Sequence, residues 1–212
     1  FMKNIYLNIY KPNITNFKKA KKNIENNNVI GLPTETVYGL AANAYSDKAV
    51  KKIYKLKKRP LFNPLIIHFK NLDDVKKNVI LNNDFKKLYK ILCPGPITFI
   101  LKIKKNSKIS KIALSQKHTI AVRIPKHKVA KAFLNSLNVP LAAPSANISS
   151  KLSPTSAEDV FDEFGKKIKF ILDGGKSQIG IESTILDLTK NPTILRPGII
   201  TKEQIEKILK RK

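Results

Sequence analysis

Val29-Ile30-Gly31-Leu32-Pro33-Thr34-Glu35-Thr36-Val37-Tyr38-Gly39-Leu40 decides the fold class. Val29 to Leu32 is short and β-branched, and it reads as a strand ending at a proline turn. Hydroxyls, a carboxylate and a glycine follow. Helix signals flank the stretch on both sides. Phe17 to Asn26 places Phe17, Ala20 and Ile24 on one helical face. Ser46 can cap a second helix that carries Ala49, Val50, Ile53 and Leu56 at helical spacing. A buried-looking strand between amphipathic helices is the pattern of an α/β domain.

The rest of the chain extends that pattern. Leu65 to Phe69, Ile97 to Ile103, Thr119 to Ile124, Phe170 to Leu172 and Thr184 to Leu188 read as further strands, bounded by Pro, Gly or Asn. Lys128 to Leu137 suits a helix. Ser153-Pro154 reads as a helix start, with Ser as cap and Pro in the first turn. Thr201 and Gln204 form a capping box for a last helix, Lys202 to Lys210. Helices and strands do not alternate strictly, so the expected sheet is mixed and twisted. Asn26 to Asn28 is a turn, and there is no repeat.

At 212 residues, with 42% apolar and 26% charged residues, the chain is expected to form one globular domain over 1–212. No apolar run approaches the roughly 18 residues that suggest a membrane helix. The start lacks the apolar segment of a secretory signal, and Phe1 before Met2 reads as a cloning scar. Cys93 is the one cysteine, which excludes an intramolecular disulfide and a cysteine-rich zinc site and points to the reducing cytoplasm.

The formal net charge is +26, which on its face calls for an anionic partner. The composition tempers that reading. There are 37 Lys, 28 Ile and 19 Asn but only 4 Arg and 8 Gly, as A/T-rich coding would produce. Genome bias therefore ranks ahead of nucleic-acid binding as the source of the bulk charge. The same bias makes each Arg informative, because its planar fork binds carboxylate or phosphate as Lys cannot. Arg59, Arg123 and Arg196 each sit beside a proline segment, and Arg211 lies in the tail.

Gly174-Gly175-Lys176-Ser177 lacks the earlier glycine of a P-loop, since Phe170 stands in its place, and reads as a turn after a strand. His68, His118 and His127 have no metal-ligand spacing. Other segments carry more. Two prolines follow Lys57-Lys58-Arg59, breaking the helix there and holding Lys57 and Arg59 on a rigid loop with Asn63, as phosphate clamps require. Arg123 shares a strand face with Ala121 and Pro125. Leu141 to Ser150 and Ser153-Pro154-Thr155 concentrate small residues and hydroxyls before a helix, which favours an anion. Together these segments indicate a nucleotide and carboxylate site. An enzyme is favoured over an RNA-binding module, because aromatic residues are not interleaved with the basic ones.

In order along the chain stand P-T-E-T-V-Y-G-L, K-x-R-P-x-x-N-P-L, P-G-P-x-T, V-R-x-P, A-P-S-A-N, S-P-T, G-I-E-S-T and L-R-P-G. Together, from about Ile14 to Lys210, they resemble the YrdC-like threonylcarbamoyl-AMP synthases. The resemblance implies a twisted α/β sheet with a large positive concave cavity. It implies a nucleotidyltransferase reaction in which L-threonine, bicarbonate or CO2, and ATP give threonylcarbamoyl-adenylate and pyrophosphate. Downstream threonylcarbamoyl-transferase proteins would then modify position 37 of tRNA, and a contact with tRNA itself is left open. Carried over by motif, Thr36, His68, Arg123 and Ser183, with the Ala143 backbone, would hold threonine. Lys57, Arg59, Asn63, Thr119, Ser145, Asn147, Ser153 and Arg196 would hold ATP, with Lys57 and Arg59 essential to catalysis. Mg2+ would be held mainly by the phosphates.

Longer members of that family append a second domain through a linker over the active site, so this sequence resembles the short, single-domain form. Two alternatives remain: a non-enzymatic domain binding double-stranded RNA or tRNA, and the carbamoyl-adenylate chemistry of hydrogenase-maturation proteins, which carry cysteine clusters that are not found here.

Overall fold

Alternation in Ile97-Thr98-Phe99-Ile100-Leu101 is realised in space: Ile97, Phe99 and Leu101 are buried in a core, while Ile100 looks the other way, into a cavity. The computed structural model describes residues 6–211. Phe1, read above as a cloning scar, lies outside the described residues. The strands are β1 Ile9–Tyr10, β2 Ile30–Leu32, β3 Gly39–Asn43, β4 Ile66–His68, β5 Ile97–Lys102, β6 Thr119–Arg123, β7 Leu141–Ala142, β8 Ile171–Leu172, β9 Thr184–Asp187 and β10 Thr193–Arg196. The helices are α1 Ile14–Glu25, α2 Asp47–Lys57, α3 Leu72–Asn78, α4 Asn83–Leu92, α5 Lys128–Asn135, α6 Ala157–Phe164 and α7 Lys202–Leu209.

One twisted, open ten-stranded sheet runs β1-β8-β2-β3-β7-β4-β6-β5-β9-β10. It is mixed, as expected. β1/β8, β8/β2, β4/β6 and β5/β9 are parallel, and the other neighbours are antiparallel. The six strands expected from the sequence are all present. β1, β3, β7 and β10 were not expected. β3 and β7 are built from Gly, Ala, Leu and Asn, so they lack the β-branched signature. Their small side chains allow close approach instead: a Cβ at Gly39 would stand 3.2 Å from the Pro144 carbonyl oxygen.

The helix that was expected from Phe17 starts at Ile14, because the Asn13 side chain caps it by accepting from Asn16 N–H. α3 and α4 begin in the same way at Asn71 and Asn82. In so Asn-rich a chain, a capping Asn stands out little from its background. The Ser153-Pro154 helix start is not realised. The cap lies three residues later, at Ser156, where Asp159 closes a capping box. Pro154 instead uses its carbonyl to accept from Tyr38 N–H.

Helix cover is uneven, and this places the site. On one face, α1 and α5 pack Ala20, Ile24, Phe133 and Leu134 against Ile30, Leu32, Ala41, Leu141 and Leu172, covering only the half of the sheet from β8 to β7. On the other face a larger core joins Leu40, Ala42, Ile67, Phe99, Val122 and Leu186 to α2, α3, α4, α6 and α7. Phe85 meets Phe99 edge-on at 5.2 Å there. Among the described residues the first face of β4, β6, β5 and β9 therefore has no helical layer, and its side chains line a cavity.

Candidate active site

Register decides which residues line that cavity. Ile66 and His68 of β4 pair with Ala121 and Arg123 of β6, and Ile100 of β5 pairs with Ala121. These alternate residues face a cavity of about 400 Å3, together with Ile185, Leu195, Thr36, Ala143, Ser183 and Arg196. An adjoining groove of similar volume is lined by Lys57, Asn147, Ser149, Ser153 and Phe62. Arg59, Asn63, Ser145 and Glu182 line both spaces and join them.

Loops hold this wall together through their backbones. Leu40 N–H donates to the Pro144 carbonyl and Ala146 N–H to the Tyr38 carbonyl, so the segments P-T-E-T-V-Y-G-L and A-P-S-A-N run side by side. Ile179 N–H and Gly180 N–H donate to the carbonyls of Glu35 and Thr36, and the Ser177 hydroxyl donates to that of Thr34. The Thr34 hydroxyl donates to the Val37 carbonyl at 2.6 Å and sits 2.9 Å from the Thr36 hydroxyl. Gly198 passes so close to β9 that a Cβ there would lie 2.5 Å from Thr184 N.

Lys57 is the last residue of α2, not a loop residue, which corrects the sequence reading. The helix ends at Lys58, in the left-handed region at φ 50°. The buried Lys57 ammonium donates to the carbonyls of Ser145 and Asn147, each at 2.6 Å, and to Asn147 Oδ1 at 3.3 Å. Burial, reinforced by the charge of Arg59, pushes its pKa down to about 8. Arg59 is on the rigid loop that was expected. Its guanidinium donates to the Asn63 carbonyl, to Asn63 Oδ1 at 2.7 Å and to the Pro64 carbonyl.

Arg123 and His68 form the inner wall. Both ring nitrogens of the buried His68 complete no directed hydrogen bond among the described residues. Burial first, and then the charge of Arg123, hold this imidazole well below its ordinary pKa, so it is neutral and offers one donor and one acceptor. Arg123 Nη2 lies 2.8 Å from Glu35 Oε1. Even so, Nε and Nη2 of Arg123 and both oxygens of Glu35 complete no directed hydrogen bond among the described residues. Ser183 shares a 2.8 Å hydrogen bond with Thr98 and accepts from Arg196 Nη2 at 3.1 Å. Arg196 Nη1 also donates to Glu182. Burial works to raise the Glu182 pKa, but Arg196 and the Ser153 and Ser145 hydroxyls outweigh it and hold the carboxyl below its usual range.

The structure thus brings Thr36, His68, Arg123, Ala143, Ser183 and Arg196 to one cavity, and Lys57, Asn147 and Ser153 to the adjoining groove. Thr119 opens β6 opposite Lys102 and lines neither space. Glu35 and Glu182 stood in the quoted motifs without a role. The scarcity argument applied to Arg would have found them, since the chain has only 15 Asp and Glu against 41 Lys and Arg. Among the described residues no three or more His, Cys, Asp or Glu cluster as a metal cage, and no helix is long and apolar enough to cross a membrane.

Residues 22–198 match the Sua5/YciO/YrdC family, described as "Telomere recombination". The threonylcarbamoyl-AMP synthase of Pyrococcus abyssi is 44% identical over 88% of this chain and 55% of its own length. That of Bacillus subtilis is 44% identical over 88% of this chain and 54% of its own. The chain thus spans about half the length of these curated relatives. The structure of Pyrococcus abyssi Sua5 complexed with L-threonine superposes with a TM-score of 0.89 at 40% identity, covering 95% of this chain and 60% of that one.

Proposed function

The chain belongs to the Sua5/YciO/YrdC family, and from that premise we propose that it is a threonylcarbamoyl-AMP synthase acting as a nucleotidyltransferase. One observation carries the reading. A cavity walled by Arg123, neutral His68, Thr36 and Ser183 opens directly into a groove lined by Lys57, Asn147 and Ser153, through the shared Arg59, Asn63 and Ser145. An amino-acid pocket next to a polyanion groove suits the joining of an amino acid to a nucleotide. The Pyrococcus Sua5 that holds L-threonine supports this choice of amino acid.

In this reading the threonine carboxylate meets Arg123, which lines the cavity and whose planar fork suits a carboxylate. The threonine hydroxyl meets His68, which can both donate and accept. Ile66, Ile100 and Ala121 form an apolar floor beneath it. The amine combines with bicarbonate to give a carbamate and water. A carbamate oxygen then attacks the α-phosphorus of ATP, one P–O bond forms, the bond to the β-phosphate oxygen breaks, and pyrophosphate leaves. Lys57, Arg59 and Arg196 neutralise charge on the phosphates, and Ser145, Asn147 and Ser153 orient them. Positioning and charge neutralisation supply most of the catalysis. Mg2+ fits a site of this kind as a phosphate-borne ion, where it would neutralise phosphate charge. The adenylate would pass to transferase proteins acting on tRNA.

The test is pyrophosphate release from ATP and Mg2+, with and without L-threonine and bicarbonate. Release that requires both is the expected result. Release independent of threonine, or none with all three present, would overturn the reading.

A further inference from the structure

Two residues carried over as nucleotide contacts, Ser153 and Arg196, already serve an anion of the protein's own. Glu182 Oε1 accepts from the Ser153 hydroxyl at 2.8 Å, and Glu182 Oε2 is paired with Arg196 Nη1. The Ser145 hydroxyl also favours its ionised form. The side chains of Glu182 and Arg196 are each about one-third exposed, so the pair lies open to the cavity. The positive charges of Lys57 and Arg59 also feel the Glu182 carboxylate. Glu182 itself lines both the cavity and the groove, at their junction.

From this geometry we infer that Glu182 is a placeholder anion: it occupies Arg196 and Ser153, and an incoming phosphate chain must displace it. The inference rests on the nucleotide reading of the groove. Its chemical logic is competition. A carboxylate brings one negative charge and two acceptor oxygens, enough to neutralise Arg196 but fewer than a phosphate chain offers. ATP, with its base and sugar also bound, can therefore outcompete it. Free phosphate and pyrophosphate lack those additional contacts and face the same competitor. In a chain of net charge +26, such a resting anion keeps the groove from filling with any available polyanion. After the reaction, return of Glu182 to Arg196 and Ser153 would drive pyrophosphate out. Glu182 is thus a positioning residue for the leaving group, and it forms no bond to the reacting atoms.

The experiment is calorimetric titration of the wild-type chain and of Glu182→Gln with pyrophosphate, and separately with ATP, at fixed ionic strength without divalent cation. Gln keeps the size and the hydrogen bond from Ser153 but loses the charge. Glu182→Gln is expected to bind pyrophosphate about tenfold more tightly, the equivalent of about 1.4 kcal/mol, and to show stronger product inhibition by pyrophosphate. Glu182→Asp, which keeps the charge, should remain near wild type in pyrophosphate affinity. Circular dichroism checks that both variants fold; if Glu182→Gln does not, the same titration of Glu182→Ser decides. Equal or weaker pyrophosphate binding without the carboxylate overturns the placeholder. If the wild type binds ATP and the variant gains nothing, the placeholder fails while the nucleotide reading stands. If the wild type binds neither ligand and the variant gains pyrophosphate alone, the placeholder stands and the nucleotide reading fails. No binding by any form overturns both.

Discussion

Glu35 and Arg123 stand 2.8 Å apart, each side chain only 5% exposed, and Arg123 lines the cavity while Glu35 does not. The carboxylate thus backs the guanidinium from behind the wall and leaves its remaining N–H groups for a ligand. Removing one partner strands a buried charge. Glu35→Ala and Arg123→Ala are each expected to cost about 3–5 kcal/mol in urea denaturation, and the double replacement less than the sum. Losses under about 1 kcal/mol for both single variants would show that the pair is not structurally coupled.

Arg123→Lys keeps the charge but replaces a fork with a point donor. The expected outcome is a rise of about tenfold in the KM for threonine with the KM for ATP nearly unchanged. Steady-state kinetics with each substrate varied in turn checks this, and an unchanged threonine dependence removes Arg123 from the threonine contacts.

Lys57, with its pKa pushed down to about 8, should lose its charge at a pH where an ordinary lysine, at 10.5, keeps it. Phosphate binding favours the ammonium, so ATP affinity should fall as pH rises through about 8. Lys57→Gln should bind ATP weakly at every pH and cut turnover at least a hundredfold, by about 3 kcal/mol or more. The sign for folding is the reverse. Between about 8 and 10.5 the unfolded chain holds more protons than the folded one, so stability rises with pH across that window.

His68 is neutral in the folded state because its pKa lies well below 6.5. Below pH 6.5 the unfolded chain takes up a proton that the folded chain refuses, so stability falls as pH falls from 6.5 toward the folded pKa. His68→Asn should flatten that slope in thermal melts taken between about pH 6.5 and 5. An unchanged slope would mean that the acid loss lies elsewhere.

Gly198→Ala would drive a Cβ to 2.5 Å from Thr184 N and 2.8 Å from the Glu182 carbonyl. The backbone at β9 must shift, and Glu182 and Ser183 shift with it. The expected cost is about 1–3 kcal/mol in stability together with a marked loss of turnover. A variant with normal melting and normal turnover would show that the 195–198 segment can move without cost.

Much of this site was legible in the chain itself. Scarce Arg residues in a Lys-rich sequence singled out Arg59, Arg123 and Arg196, and all three line the same cavity. The alternation of Thr119 to Ile124 placed Arg123 on one face with Ala121, as found. Misplacements followed physical rules too. Ser153 reads as a cap because hydroxyl-proline pairs often start helices, but its hydroxyl donates to Glu182, 29 residues away. β3 and β7 went unread because Gly and Ala carry no β signature, although close packing in a central strand favours them.

The periodicities, the Thr201–Gln204 capping box, the α/β class and the ordered motifs that identify the family are legible along the chain, because each of these is a local pattern of side-chain size, branching and hydrogen bonding. Packing between distant segments makes α1 and α5 stop at β7 and leaves one face of β4, β6, β5 and β9 open. It alone set Glu35 behind Arg123 and Glu182 between Ser153 and Arg196. The reason is strand order. Alternation tells which residues share a face, but the neighbour across a strand, and whether a helix covers it, depend on packing between segments far apart in the chain.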